Sequence, residues 1–410
     1  MTHRRILVAG SLSLALLAAA CHEDELFSPP PAAYKGGALF KRYVAIGNSI
    51  TAGWQSGGIN DSLQRLAYPV LVAGAMGGDP FYYPSLNAPG CPPPYTNIFT
   101  GARVGSGTGT TCAFRNANIP PYLNNLGVPY AFAADPPRNG GPITPINPLV
   151  ELILGGRTQV ELMTAARPTF VSVWIGNNDL LIPAGDPANA GDTTKLTPLA
   201  AYKADYRSIL DAIEAVDAKA ILIGVVNVTA IPFFAQGQTY FGIKNTTTNF
   251  PTNFLVANNC GPRGFAGVGV GDSVLVPFPY GLGLIGLAQA DPANNYTLDC
   301  SVPQVIVPRE LLLFAQAADS FNAFDSTEAA TRGWAWINPN PTLDSLLAVP
   351  GQVAPFPNTA VTCSGSPFGL ALSCDGVHPS TATQRLIARK LVQAINAKYV
   401  SAIPAVPAVP

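Results

Sequence analysis

The chain has 410 residues, of which 11% are charged, and a formal net charge of −1. So even a balance leaves no basic footprint for nucleic acid and no field to steer a polyanion. With 48% hydrophobic residues beside 39 glycines and 40 prolines, the composition excludes a disordered chain and fits one large packed domain with many ordered loops.

The N-terminus runs Met1-Thr2-His3-Arg4-Arg5 and is then apolar or small from Ile6 to Ala20, ending at Cys21. A positive start, a short apolar core and small residues before a cut describe an export signal, 1–20. The run falls short of the ~20 residues a membrane span needs. Leu17-Ala18-Ala19-Ala20-Cys21 resembles a bacterial lipobox, with Leu one place earlier than is usual. The resemblance implies lipidation of Cys21 and anchoring to a membrane. His22 rather than Asp follows it, which by the same likeness favours the outer membrane. An ordinary cleaved signal is the alternative. Residues 21–38, with Glu23-Asp24-Glu25 and Pro29-Pro30-Pro31, read as an acidic, proline-rich tether.

The folding part spans 39–400. Lys41-Arg42-Tyr43-Val44-Ala45-Ile46 reads as a short buried strand that breaks at Gly47-Asn48-Ser49-Ile50-Thr51-Ala52-Gly53. A strand that ends on Gly and presents Ser is how an α/β sheet exposes a hydroxyl at its carboxyl edge. A turn merely capped by Ser gives the same letters. The stretch 74–94 is a Gly/Pro/Tyr loop, in which Asn87-Ala88-Pro89-Gly90-Cys91 offers a backbone N–H for close approach.

A helical pattern over 158–166 precedes a second strand, 169–175, which ends in Gly176-Asn177-Asn178-Asp179. Thr197 and Pro198 open a helix striped by Tyr202, Tyr206, Ile209, Leu210, Ile213 and Val216, and a third strand covers 220–228. Strand, helix, strand implies a parallel right-handed crossover. Residues 236–303 break the rhythm as a loop-rich insertion suited to a lid or wall. Its Phe278, Tyr280, Leu282, Leu284, Ile285 and Leu287 suggest an acyl-chain pocket or the insertion's own core. Pro308 starts another helix, 334–337 suits an edge strand, and Thr381 with Gln384 suits a capping box on a last helix. Residues 401–410 read as a flexible tail.

Seven cysteines are present. Besides Cys21 they are Cys91, Cys112, Cys260, Cys300, Cys363 and Cys374, and six allow about 15 pairings. In an exported chain they suggest disulfides, with sequence neighbours joined. No Cys-x-x-Cys or His cluster points to zinc, and the reading calls for no cofactor.

His378, in Ser373-Cys374-Asp375-Gly376-Val377-His378, is the one histidine outside the N-terminal segment. Histidine is the usual base for a serine hydroxyl at neutral pH, and an Asp three places earlier can orient its ring. Gly47-Asn48-Ser49, Gly176-x-Asn178-Asp179 and Asp375-x-x-His378 together resemble the SGNH, or GDSL, hydrolases in order and type. That resemblance covers short blocks from about 40 to 398, not the insertion. It implies a flavodoxin-like α/β/α sandwich on a central parallel sheet, cleaving carboxylic esters of lipids or short acyl groups. Ser49 would be the nucleophile, His378 the base and Asp375 its partner. Ser49 N–H, Gly90 N–H and the Asn178 amide would form the oxyanion hole, with Gly101 or another loop glycine as the alternative to Gly90. Asn48 and Ile50 stand where the family has Asp and Leu, which removes no reacting group. Gly271-Asp272-Ser273 and Asp61-Ser62-Leu63 carry similar letters without a strand before them. The alternatives are a carbohydrate acetylesterase, an acyltransferase on the same site, and a non-catalytic lipoprotein. Oligomeric state is not legible.

Overall fold

The computed structural model describes residues 37–113, 115–116, 120–141, 145–246 and 250–407. The export signal, Cys21 and nearly all of the tether lie outside the described residues.

Four parallel strands, β1 (Tyr43–Gly47), β2 (Phe170–Trp174), β3 (Lys219–Ile223) and β4 (Ala335–Ile337), form the central sheet in that order. Alternate side chains point to opposite faces. Val44, Ile46, Val171 and Val173 enter one core, Tyr43, Ala45, Phe170 and Trp174 the other. Burial on both faces explains why these strands read as continuous apolar runs. The first face is covered by α3 (Gln159–Ala166), α5 (Leu199–Ala215) and α6 (Pro308–Thr331), the second by α2 (Tyr68–Met76) and α8 (Thr381–Tyr399). The result is a three-layer α/β/α sandwich.

An extended segment at 124–128 flanks β1 on its free side. Ala45 N–H donates to Asn124 O, Leu126 N–H to Ala45 O and Val128 N–H to Gly47 O. Counted in chain order with this segment second, the spatial order is 2-1-3-4-5, the flavodoxin-like winding whose ligands sit at the switch point beside the first strand. The sequence reading missed it because Asn124, Asn125 and Gly127 interrupt the apolar pattern.

Several local expectations shift. The third strand ends at Ile223, short of Val228. The last helix is capped by Ser380, whose Oγ accepts from Thr383 N–H, not by Thr381 with Gln384. Gln384 is buried and tied elsewhere: it accepts from Tyr68 N–H and donates to Ile50 O. The expected flexible tail is packed over 401–407. Asn396 exchanges hydrogen bonds with Ile403 in both directions, and Ile403 and Val406 are buried in the second core.

The insertion is more regular than loop-rich. Its helices Gly237–Thr246 and Phe278–Ala290 and two small sheets enclose a core of Tyr240, Phe254, Val276 and Leu298 around Cys260 and Cys300. Ile285, Leu284 and Tyr280 pack into that core, Phe278 and Leu282 against Phe368 and Leu372, and Leu287 is exposed. The three disulfides join Cys91–Cys112, Cys260–Cys300 and Cys363–Cys374, the sequence neighbours. No helix among the described residues is long and apolar enough to cross a membrane.

Candidate active site

The site is assembled at the carboxyl edge of β1 and β2. Gly47 is required at the end of β1, since a Cβ there would stand 2.1 Å from Thr51 Oγ1. Its N–H and C=O are both held by the buried amide of Gln159. The chain then turns into the short helix α1 (Ser49–Ala52), capped by Asn48, whose Oδ1 accepts from Ile50 N–H. Asn48 thus fills a capping role open to Asn and Asp alike. Ser49 is left at the first helical position, 8% exposed.

His378 arrives from the loop before α8. Its Nε2 lies 2.9 Å from Ser49 Oγ and its Nδ1 2.9 Å from Asp375 Oδ2. An ionised carboxylate only accepts, so the proton belongs on Nδ1, and Nε2 presents its lone pair to the Ser49 hydroxyl. Asp375 Oδ1 accepts from Val377 N–H, His378 N–H and Ser373 Oγ, and Oδ2 also accepts from Gly57 N–H. Burial acts to raise this carboxyl, but His378 and the surrounding donors outweigh it and hold Asp375 well below the usual carboxylate range. The Cys363–Cys374 bridge ends beside Asp375.

Asn178 begins α4 (Asn178–Ala184) and is 3% exposed. Its Nδ2 donates to Ala131 O at 2.9 Å, which leaves the second amide hydrogen for another acceptor. The neighbouring Asp179 is buried, accepts from Ala133 N–H, and is pushed up to about 7 by burial, with Asp135 adding to the rise.

A small cavity of about 250 Å³ joins Ser49, His378 and Asn178 with Trp54, Pro129, Tyr130, Leu181 and Ile182. Gly90 does not line it. Its carbonyl accepts from Ala113 N–H, and a Cβ on it would lie 2.3 Å from Ile59 O, so its glycine serves the packing of the Cys91 turn. The loop that does face Ser49 is the one leaving the 124–128 segment. There Tyr130 adopts φ 63°, a left-handed conformation uncommon for a residue with a Cβ. Its N–H donates to no backbone carbonyl among the described residues. Asn125 anchors this loop to the serine's helix by donating to Thr51 O and accepting from Gly127 N–H. The Tyr130 ring packs edge-on against Trp54, 5.4 Å between centroids, and Trp54 stands 6.2 Å from the His378 ring.

Tyr130, Trp54, Gly57 and Ser373 were not singled out from the sequence. No local pattern marks a non-glycine left-handed residue, and none shows which turn will meet Asp375. The look-alike serines lie elsewhere: Ser273 Oγ donates to Val270 O, and Ser62 is exposed on a short helix. No described residue of 236–303 lines this cavity or the two larger ones beside it.

No protein-family model matches the chain, nor does any curated protein sequence. Among solved structures it is similar to Axe2, an acetylxylan esterase from Geobacillus stearothermophilus, with 15% identity over 88% of this chain and 96% of that one, TM-score 0.37. A catalytic mutant of Axe2 gives 14% identity over 87% and 94%, TM-score 0.38. A psychrotrophic esterase, EstA from Pseudoalteromonas sp., gives 10% identity over 88% and 98%, TM-score 0.35.

Proposed function

We propose that this chain hydrolyses carboxylic esters through an acyl-enzyme on Ser49. One observation carries the reading: Ser49 Oγ, the His378 ring and Asp375 Oδ2 form an unbroken line of hydrogen bonds, each contact 2.9 Å, beside a cavity.

In this reading His378 Nε2 takes the hydroxyl proton as Ser49 Oγ attacks the ester carbonyl, and returns it to the departing alcohol. Water then repeats the sequence and frees the acid. Asp375, ionised and fully paired, fixes the ring's tautomer and offsets the imidazolium charge. The oxyanion is met by the Ser49 N–H, the free Asn178 amide hydrogen and the Tyr130 N–H, which takes the place first assigned to Gly90. A donor of this kind contributes about 2.7–4 kcal/mol to the transition state. Asn178 needs no reorganisation to serve, because Ala131 O already fixes its amide.

The disulfides fit an oxidising compartment. Together with the N-terminal pattern they support an exported, lipid-anchored enzyme of the cell envelope. The chemistry is tested with a fluorophosphonate probe. Label should sit on Ser49 and vanish in Ser49→Ala; labelling that persists in that variant would refute the assignment.

A further inference from the structure

We infer that the substrate's acyl chain lies in a second, larger groove beside Ser49, so that the enzyme selects esters of medium- and long-chain aliphatic acids. This deepens the acyl-enzyme reading and rests on it.

The groove encloses about 950 Å³, counting its open mouth and the solvent space in it. Trp174, Ile223 and Ile337 line it from the sheet's carboxyl edge, and Ile387 lines it from α8. Its outer wall is α7 (Asn340–Leu347), a helix with no buried residue. Thr342, Leu343 and Leu346 turn half-buried toward the groove, while Asp344, Ser345 and Leu347 are exposed. So the apolar side of α7 covers space that the fold leaves unfilled. Empty apolar volume of this kind costs stability, which suits a place held open for a ligand.

The lining carries no carboxylate, and its one charged residue, Lys390, is exposed. The buried Asn177 has its Oδ1 taken by Val226 N–H, while its Nδ2 and the Trp174 Nε1 are buried donors without a partner among the described residues. An alkyl chain therefore meets walls that are apolar except for these two donors.

The groove lies next to the Ser49 cavity. Leu181 belongs to both its wall and that of the Ser49 cavity, Ile50 follows Ser49 in the chain, and Val377 precedes His378. Ile50 and Leu181 neighbour Ser49 and Asn178, the two groups that would hold the acyl carbonyl. The alcohol has a separate way out. Trp54 stands beside His378, and past it opens another cavity lined by Tyr130, Phe132, Asp135 and Asn147. The acyl side therefore belongs to the apolar groove.

The test is a series of p-nitrophenyl esters from acetate to dodecanoate, kept below their critical micelle concentrations, on the exported chain. kcat/KM should rise with acyl length by up to about fourfold per methylene, the equivalent of ~0.8 kcal/mol per buried CH₂, until the groove is full. Acetates of n-alkanols should show no such rise. Leu346→Trp, which fills the groove from α7, should flatten the acyl series, with far-UV circular dichroism reporting that the variant is folded. A flat acyl series in the unaltered enzyme, a steep series surviving in Leu346→Trp, or length dependence on the alkanol side would each overturn the proposal. If acetate is not cleaved and Ser49 takes no label, the hydrolase reading has failed by itself. Binding then decides the groove: dodecanoate should displace a fluorescent fatty acid from the protein but not from Leu346→Trp, and absence of binding would overturn it.

Discussion

The Gly57 N–H donates to Asp375 Oδ2 over 2.7 Å, the same oxygen that meets His378 Nδ1. The turn that follows the serine's helix therefore holds the acid at the far end of the chain. Ser56 completes the clasp, its N–H donating to Ser373 Oγ and its Oγ accepting from Cys374 N–H. Ser49 and His378 are thus fixed relative to one another by backbone, not only by their own contact.

Asp375→Asn should lower kcat about 10⁴-fold, by analogy with triads whose acid is replaced by its amide. Far-UV circular dichroism and an ester assay check this together. Because Asp375 is held below its ordinary value, its contribution to stability is present above the usual carboxylate range. That contribution is lost only as pH falls through the lowered folded value. Protonation of Asp375 should accordingly not be what limits activity in mildly acidic buffer, which a pH–rate profile of kcat checks.

Asn178→Ala should lower kcat by about 10²–10³-fold with the fold intact. Tyr130→Gly should keep kcat within a few-fold, since the donor at 130 is backbone and glycine tolerates the left-handed conformation. Steady-state kinetics on the pair separates a side-chain donor from a main-chain one. Near-normal turnover in Asn178→Ala would remove that residue from the oxyanion hole.

Gly90→Ala should act on stability instead. Its new Cβ would press on Ile59 O, costing about 1–3 kcal/mol in urea unfolding, with kcat per folded molecule unchanged. A loss of kcat comparable to that of Asn178→Ala would return Gly90 to the site.

Asp179, pushed up to about 7, favours the folded state when protonated. The stability it lends is whole below the ordinary carboxylate value and is lost as pH rises through 7. Asp179→Asn should remove this dependence. The unfolding free energy of the variant relative to the unaltered protein should climb by up to about 1.4 kcal/mol per unit between pH 4 and 7. Denaturant melts at several pH values measure it, and parallel curves would show that Asp179 does not titrate there.

Removing the Cys363–Cys374 bridge by a double Ala substitution should cost about 3 kcal/mol for a loop of this length. It should lower kcat before the domain unfolds, because the bridge ends beside Asp375. Full activity in the folded double variant would limit the bridge to stability.

The groups proposed to react were legible in the sequence because each lies in a short local pattern. Gly47-Asn48-Ser49 ends an apolar run, Asn178 follows the next one, and Asp375 and His378 are three residues apart before a helix. The sandwich was legible for the same reason: strands buried on both faces read as unbroken apolar stretches separated by amphipathic helices. What only the tertiary structure decided are relationships between segments far apart in the chain. The 124–128 strand is defined by its pairing with β1, not by its own pattern. Tyr130 becomes a candidate donor because a loop anchored by Asn125 on Thr51 O turns it toward Ser49. The packed tail depends on Asn396, and the clasp on Asp375 depends on a turn more than three hundred residues away. The apolar groove is lined by the sheet edge, two helices and the loops between them, and no one of these encloses it alone. Local patterns encode which side chains can react; the space between distant elements, which sets the oxyanion donors and where a substrate lies, exists only after they pack.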